Sequence, residues 1–130
     1  MIGIIVVTHG EAGGAMLRAA EQKVGALADV RALAVAVDET PASVEGRIER
    51  TVEELHADEV LFLVDLGGST PFNLCCRHCC GRSAVLSGIN LPMLFKLATA
   101  DRTHGVRALA EELARTGAKS ISVRQGGAAG

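Results

Sequence analysis

Ile2-Gly3-Ile4-Ile5-Val6-Val7, ended by Thr8-His9-Gly10-Glu11, decides the fold. A short unbroken apolar run suits a strand covered on both faces, as in parallel sheets, whereas a strand with one wet face alternates. A second run of this kind, Val60-Leu61-Phe62-Leu63-Val64, closes in Asp65-Leu66-Gly67-Gly68-Ser69-Thr70. Open α/β sheets bind ligands outside the carboxyl ends of their strands, where the strand order reverses. If these two strands are neighbours, His9 and Asp65 face each other at that edge, beside a glycine-rich turn.

Outward from these runs, strand and helix patterns alternate. Residues 15–27 read as a helix with Met16, Ala19, Ala20 and Val24 on one face, and 30–37 as a second strand. Thr40-Pro41 opens a helix to about residue 56 by the route of N-cap followed by proline. Its apolar stripe is Val44, Ile48, Val52 and Leu55, with Glu45, Glu49, Arg50, Glu53 and Glu54 on a solvated face. Ser69-Thr70-Pro71 opens a helix to about residue 80, and 84–89 form a fourth strand. Asn90-Leu91-Pro92 leads into a helix through residue 99, and 103–116 form another. Lys119-Ser120-Ile121-Ser122-Val123-Arg124 alternates strictly, as an antiparallel edge strand with one wet face does. The expected fold is a doubly wound α/β three-layer sandwich, its sheet mostly parallel with one antiparallel C-terminal edge strand. Residues 1–125 are read as one domain and 126–130 as a flexible tail.

Composition narrows the function. The 130 residues are 48% hydrophobic, enough for a core without disulfides or metal, and no run is long enough to span a bilayer. No basic leader with a small-residue cleavage site precedes the first run, so a cytoplasmic location is expected. A net charge of −2 with interspersed signs, no Trp or Tyr and three Phe give no support to nucleic-acid or anionic-membrane binding. The four cysteines all lie in Cys75-Cys76-Arg77-His78-Cys79-Cys80, with no second cluster to complete a zinc site. Helix packing is their expected use, with adventitious metal binding or oxidation as the lesser alternative. No dedicated metal or cofactor site is expected, and His56, His78 and His104 are assigned surface or packing roles.

A functional histidine needs one ring nitrogen held and the other free. A carboxylate accepting from Nδ1–H fixes the tautomer and leaves the Nε2 lone pair outward, and it steadies the charge that develops when Nε2 is acylated or phosphorylated. Asp65 is placed to do this for His9; the plain alternative is a strand-end histidine and a turn-capping aspartate. Gly67 and Gly68 let the backbone approach a ligand, and the helix that follows offers unpaired N–H groups to an anion. The hydroxyls of Ser69 and Thr70 can serve a phosphoryl group, or one of them is simply the N-cap. A P-loop is excluded, because Gly10-Glu11-Ala12-Gly13-Gly14-Ala15-Met16 lacks Gly-Lys-Ser/Thr.

Three segments carry a resemblance. Val-Val-Thr-His-Gly at the first strand, Phe-Leu-Val-Asp-Leu-Gly-Gly-Ser-Thr-Pro-Phe-Asn at 62–73 and Ser-Gly-Ile-Asn-Leu-Pro-Met-Leu at 87–94 resemble the mannose-family IIA component of the bacterial phosphoenolpyruvate-dependent sugar phosphotransferase system. The resemblance implies a phosphohistidine carrier that accepts a phosphoryl group from the phosphocarrier HPr and passes it to a IIB protein. It implies that His9 is phosphorylated through Nε2, that Asp65 orients it, and that Ser69 or Thr70 contacts the phosphoryl group. Asn90 is carried over as a site-wall residue, and Leu66, Phe72 and Met93 are rim candidates, with core packing the plainer use of each. The resemblance also implies homodimers that exchange the last strand. With no IIB domain following, a separate IIB polypeptide is the expected partner, and transport and regulation stay open as roles.

Two other classes fit the residue types. A hydrolase built on Ser69, His9 and Asp65 lacks the nucleophile elbow, since Pro71 stands where Gly-x-Ser-x-Gly needs glycine. A flavodoxin-like module that binds a small phosphorylated ligand without chemistry is the other.

Overall fold

The structure, a computed structural model, describes residues 1–78 and 81–127. Among these residues four strands, β1 (Ile2–His9), β2 (Val30–Val35), β3 (Glu59–Val64) and β4 (Ser83–Ser87), form one sheet in the order β2-β1-β3-β4. Every pairing is parallel. The helices of the described residues are α1 (Ala12–Val24), α2 (Pro41–Leu55), α3 (Thr70–Cys76), α4 (Leu91–Lys96) and α5 (Val106–Lys119).

The period of two along each strand sorts the side chains into two cores. Ile4, Val6, Leu61 and Leu63 face α1, α4 and α5, where Ala20, Leu94, Leu109 and Leu113 meet them. Ile5, Val7, Phe62 and Val64 face α2 and α3, against Val44, Ile48 and Leu74. This is the expected doubly wound three-layer sandwich. The chain leaves β1 toward β2 and returns to the other side of β1 as β3, so strand order reverses between β1 and β3. Val7 pairs with Val64 there. Asp65 thus stands one residue beyond that last rung and His9 two.

The antiparallel edge strand expected at 119–124 is absent. α5 runs to Lys119, beyond the expected end at residue 116, and the hydroxyl of Ser120 donates to Thr116 O at 2.8 Å. Extension of the helix leaves five residues of the alternating pattern, and their apolar side chains stand largely exposed: Ile121 75% and Val123 97%. Among the described residues, β4 pairs on one side only.

Smaller differences also have local causes. α1 begins at Ala12 rather than 15, placing Gly13 inside its first turn. A Cβ at Gly13 would come within 2.9 Å of Val6 Cγ1 and 3.0 Å of Thr8 Oγ1, so the glycine serves close helix–strand contact rather than turn freedom. Thr40 caps α2 as expected, accepting from Ser43 N at 3.2 Å. The expectations for Cys79, Cys80 and residues 128–130 lie outside the described residues.

Candidate functional site

The carboxyl edge at the β1/β3 reversal brings two of the sequence candidates into contact. Asp65 Oδ2 accepts the backbone N–H of His9 at 3.0 Å and lies 3.0 Å from its Nδ1. A carboxylate only accepts, so Nδ1 carries the proton and Nε2 keeps its lone pair. Among the described residues no hydrogen bond engages Nε2, and the His9 side chain is 53% exposed. Both donors come from one residue, which fixes the ring's position as well as its tautomer.

The electrostatics follow from this geometry. Partial burial raises the Asp65 carboxyl, but the hydrogen bonds from the His9 backbone and ring, with the attraction of the ring itself, more than offset it. The net effect holds Asp65 below the usual aspartate range. Its other oxygen, Oδ1, is buried with no hydrogen-bond partner among the described residues.

Sequence reasoning missed what supports the histidine from below. Thr8 is fully buried; its hydroxyl accepts the Gly13 N–H at 2.7 Å and donates to Gly10 O at 3.2 Å. Gly10 turns the chain with φ +58° and donates its N–H to Val35 O at 2.8 Å. His9 therefore sits between two anchored residues. A threonine closing a buried strand just before a glycine-rich turn was the available signal, because a buried hydroxyl needs partners.

The other candidates divide. Ser69 is the N-cap of α3, accepting the Phe72 N–H at 3.3 Å while its own proton goes to Leu66 O at 2.7 Å. Thr70, the first residue of α3, is exposed, as are Leu66, Gly67 and Gly68. Gly68 has φ +77°, and a Cβ on Gly67 would meet Ser87 Oγ at 2.9 Å, so each glycine answers a specific demand of the loop. Phe72 is half-buried against the α2/α3 core. Asn90 turns its amide to α5, donating from Nδ2 to Gly117 O at 3.0 Å. Met93 does not reach the rim: it is 5% exposed and fills the space opposite Gly117, where a Cβ would lie 2.3 Å from Met93 Cε. Its place in the first turn of α4 puts it in the core that α4 shares with α5.

A held imidazole facing solvent at the switch point of a parallel α/β sheet defines a class of nucleophilic or group-carrying sites. Comparison with known proteins makes this specific. Residues 3–114 match the EIIA-man family, described as "PTS system fructose IIA component", and the chain belongs to that family of sugar phosphotransferase IIA components. The mannose-specific EIIAB component of Escherichia coli is 29% identical over 130 residues, covering 95% of this chain and 40% of the relative. The chain thus spans about two-fifths of the length of the curated relatives it matches. The crystal structure of EIIA from Streptococcus agalactiae is similar with a TM-score of 0.85, 27% identity, and coverage of 95% and 97% of the two chains. A mannose/sorbose-specific IIA subunit from Enterococcus faecalis shares the fold, with TM-score 0.85, 23% identity and coverage of 95% and 94%.

Proposed function

We propose that the protein is a phosphohistidine carrier in which Nε2 of His9 accepts a phosphoryl group from HPr and passes it to a separate IIB protein. The observation that carries this reading is the Nδ1···Oδ2 contact of 3.0 Å on a half-exposed ring. Family membership and the 29% identity to a mannose-specific EIIAB component support it.

The step balances on the ring. The Nε2 lone pair attacks phosphorus in line, a new N–P bond forms, and the N–P bond to the donor histidine breaks with its electron pair returning to the donor. Nδ1 keeps its proton throughout, and Asp65 steadies the positive charge the ring gains. The transition state is loose, so positioning and charge stabilisation carry the catalysis. Gly67, Gly68 and exposed Thr70 are the groups of the Asp65 loop offered to the phosphoryl oxygens. Ser69 acts behind them by shaping the loop, because its proton is committed to Leu66 O. The same commitment disfavours the hydrolase reading, which needs that proton on His9. Exposed Leu66 provides apolar surface for a docking protein, with Phe72 at its margin and Asn90 as the wall toward α5.

Residues 1–125 act as one IIA-type unit working in the cytoplasm. Among the described residues no helix is long and apolar enough to cross a membrane. The unit forms homodimers in which the segment after α5, residues 120–124, of each copy adds antiparallel to the open edge of β4 in the other. The exposed Ile121 and Val123 and the groove between β4 and α5, walled by Ala84, Leu86, Val106, Ala110 and Ala114, support that pairing.

The direct test mixes the protein with HPr, its upstream kinase and labelled phosphoenolpyruvate. Acid-labile, base-stable label mapped to His9 and absent in His9→Ala is the expected result. Label on another residue, or none, overturns the proposal.

A further inference from the structure

The groove between α2 and the turn after α3 holds side chains that phosphotransfer does not use. Glu45 and Glu49 lie one turn apart on α2 and so share a face. His78 stands two residues past the end of α3. One oxygen of each carboxylate and one imidazole nitrogen all lie within 4.8 Å of one another. The sequence placed these glutamates on a solvated face; packing of α3 on α2 brings the histidine to them.

We infer that Glu45, Glu49 and His78 bind one divalent d-block cation, with zinc as the favoured ion. Two carboxylates supply charge, and the imidazole supplies a borderline-soft nitrogen that suits zinc, cobalt or nickel better than calcium or magnesium. Ligand atoms about 2.1 Å from a tetrahedral zinc stand about 3.4 Å apart. Rotation of the exposed Glu49 side chain serves that closure.

The histidine is already held in place. Its N–H donates to Cys75 O at 3.0 Å, its carbonyl accepts from the Ser83 hydroxyl, and its ring tilts 47° against Phe62 with centroids 6.2 Å apart. Its Nε2 is buried with no hydrogen-bond partner among the described residues, a condition that buried polar groups ordinarily avoid. Glu49 is exposed, so the coordination would be completed by water from solvent. Arg77 is the protein's own cation at this place, with its guanidinium 3.5 Å from Glu45 Oε2 and its side chain 66% exposed. A bound ion must displace it, so Arg77 is a competitor and its removal strengthens metal binding.

The inference stands apart from the role of His9 and is tested on the full chain, kept reduced and stripped with chelator, by titration with Co²⁺ and then Zn²⁺. One cobalt per chain is expected, with visible d–d absorption and no thiolate-to-cobalt charge transfer, displaced by zinc. Affinity should fall at least about tenfold in Glu49→Gln, Glu45→Gln and His78→Gln and rise in Arg77→Gln. The two glutamate variants keep the test decisive if His78→Gln does not fold. No binding, a thiolate charge-transfer band, or affinity unchanged in both glutamate variants would overturn it.

Discussion

At the residue scale, the site depends on one carboxylate oxygen that receives two donors from a single histidine. Removing it frees the ring to rotate and to exchange tautomers. Asp65→Ala should therefore slow phosphoryl acceptance while leaving some label on His9, as measured by initial rates with phosphorylated HPr; unchanged rates would remove Asp65 from the mechanism. The carboxyl also predicts a pH dependence. Its folded pKa is lowered, first opposed by burial and then carried by the His9 bonds. The stability it contributes is complete above the ordinary aspartate range and is lost as pH falls through the lowered value. Carbon-detected NMR titration should place the Asp65 midpoint below 3.8, its ordinary value. A midpoint above that would mean the pair is not formed in solution.

At the scale of elements, short contacts decide where helices may sit. Gly13 lets α1 touch β1, with Val6 Cγ1 and the Thr8 side chain where a Cβ would go. Gly13→Ala should destabilise the fold by about 1–3 kcal/mol through overpacking, read by urea denaturation. The hydroxyl of Thr8 joins the same two elements, and its loss in Thr8→Val should leave a buried N–H unpaired at a cost of about 1–3 kcal/mol. The end of α2 offers the opposite case. His56 closes it in the left-handed region at φ 48°, a conformation glycine adopts without steric cost. His56→Gly should stabilise the protein by about 0.5–1 kcal/mol, and a loss of stability would show that the exposed imidazole has a contact worth more than the backbone strain.

At the scale of the whole molecule, the unpaired edge of β4 and the exposed apolar side chains of 121–123 belong together. A strand edge with nothing on it is an invitation to association, and natural chains usually blunt or cover it. Val123→Asp combined with Ile121→Asp should convert the proposed strand-exchanged dimer to monomer in sedimentation experiments without unfolding the parallel sheet. A wild-type protein that already sediments as a monomer would contradict strand exchange. On the proposed carrier reading HPr and IIB meet the β1/β3 edge rather than β4's open side, so monomeric variants should still accept label.

Apolar runs too short for helices and too continuous for half-wet strands dictated a parallel sheet, and the residues ending them, His9 and Asp65, followed as the candidate site. That much is local information, because burial on both faces is written directly into side-chain type. The tertiary structure alone decided which hydroxyls are available, since Ser69 looks like a ligand group until Leu66 O takes its proton. It alone buried Met93 against Gly117, lengthened α5 at the expense of a fifth strand, and set His78 beside Glu45 and Glu49. Each of these depends on groups distant along the chain or on the exact end of a helix. A face of exposed glutamates reads the same from sequence whether water or an imidazole lies opposite; packing makes the difference.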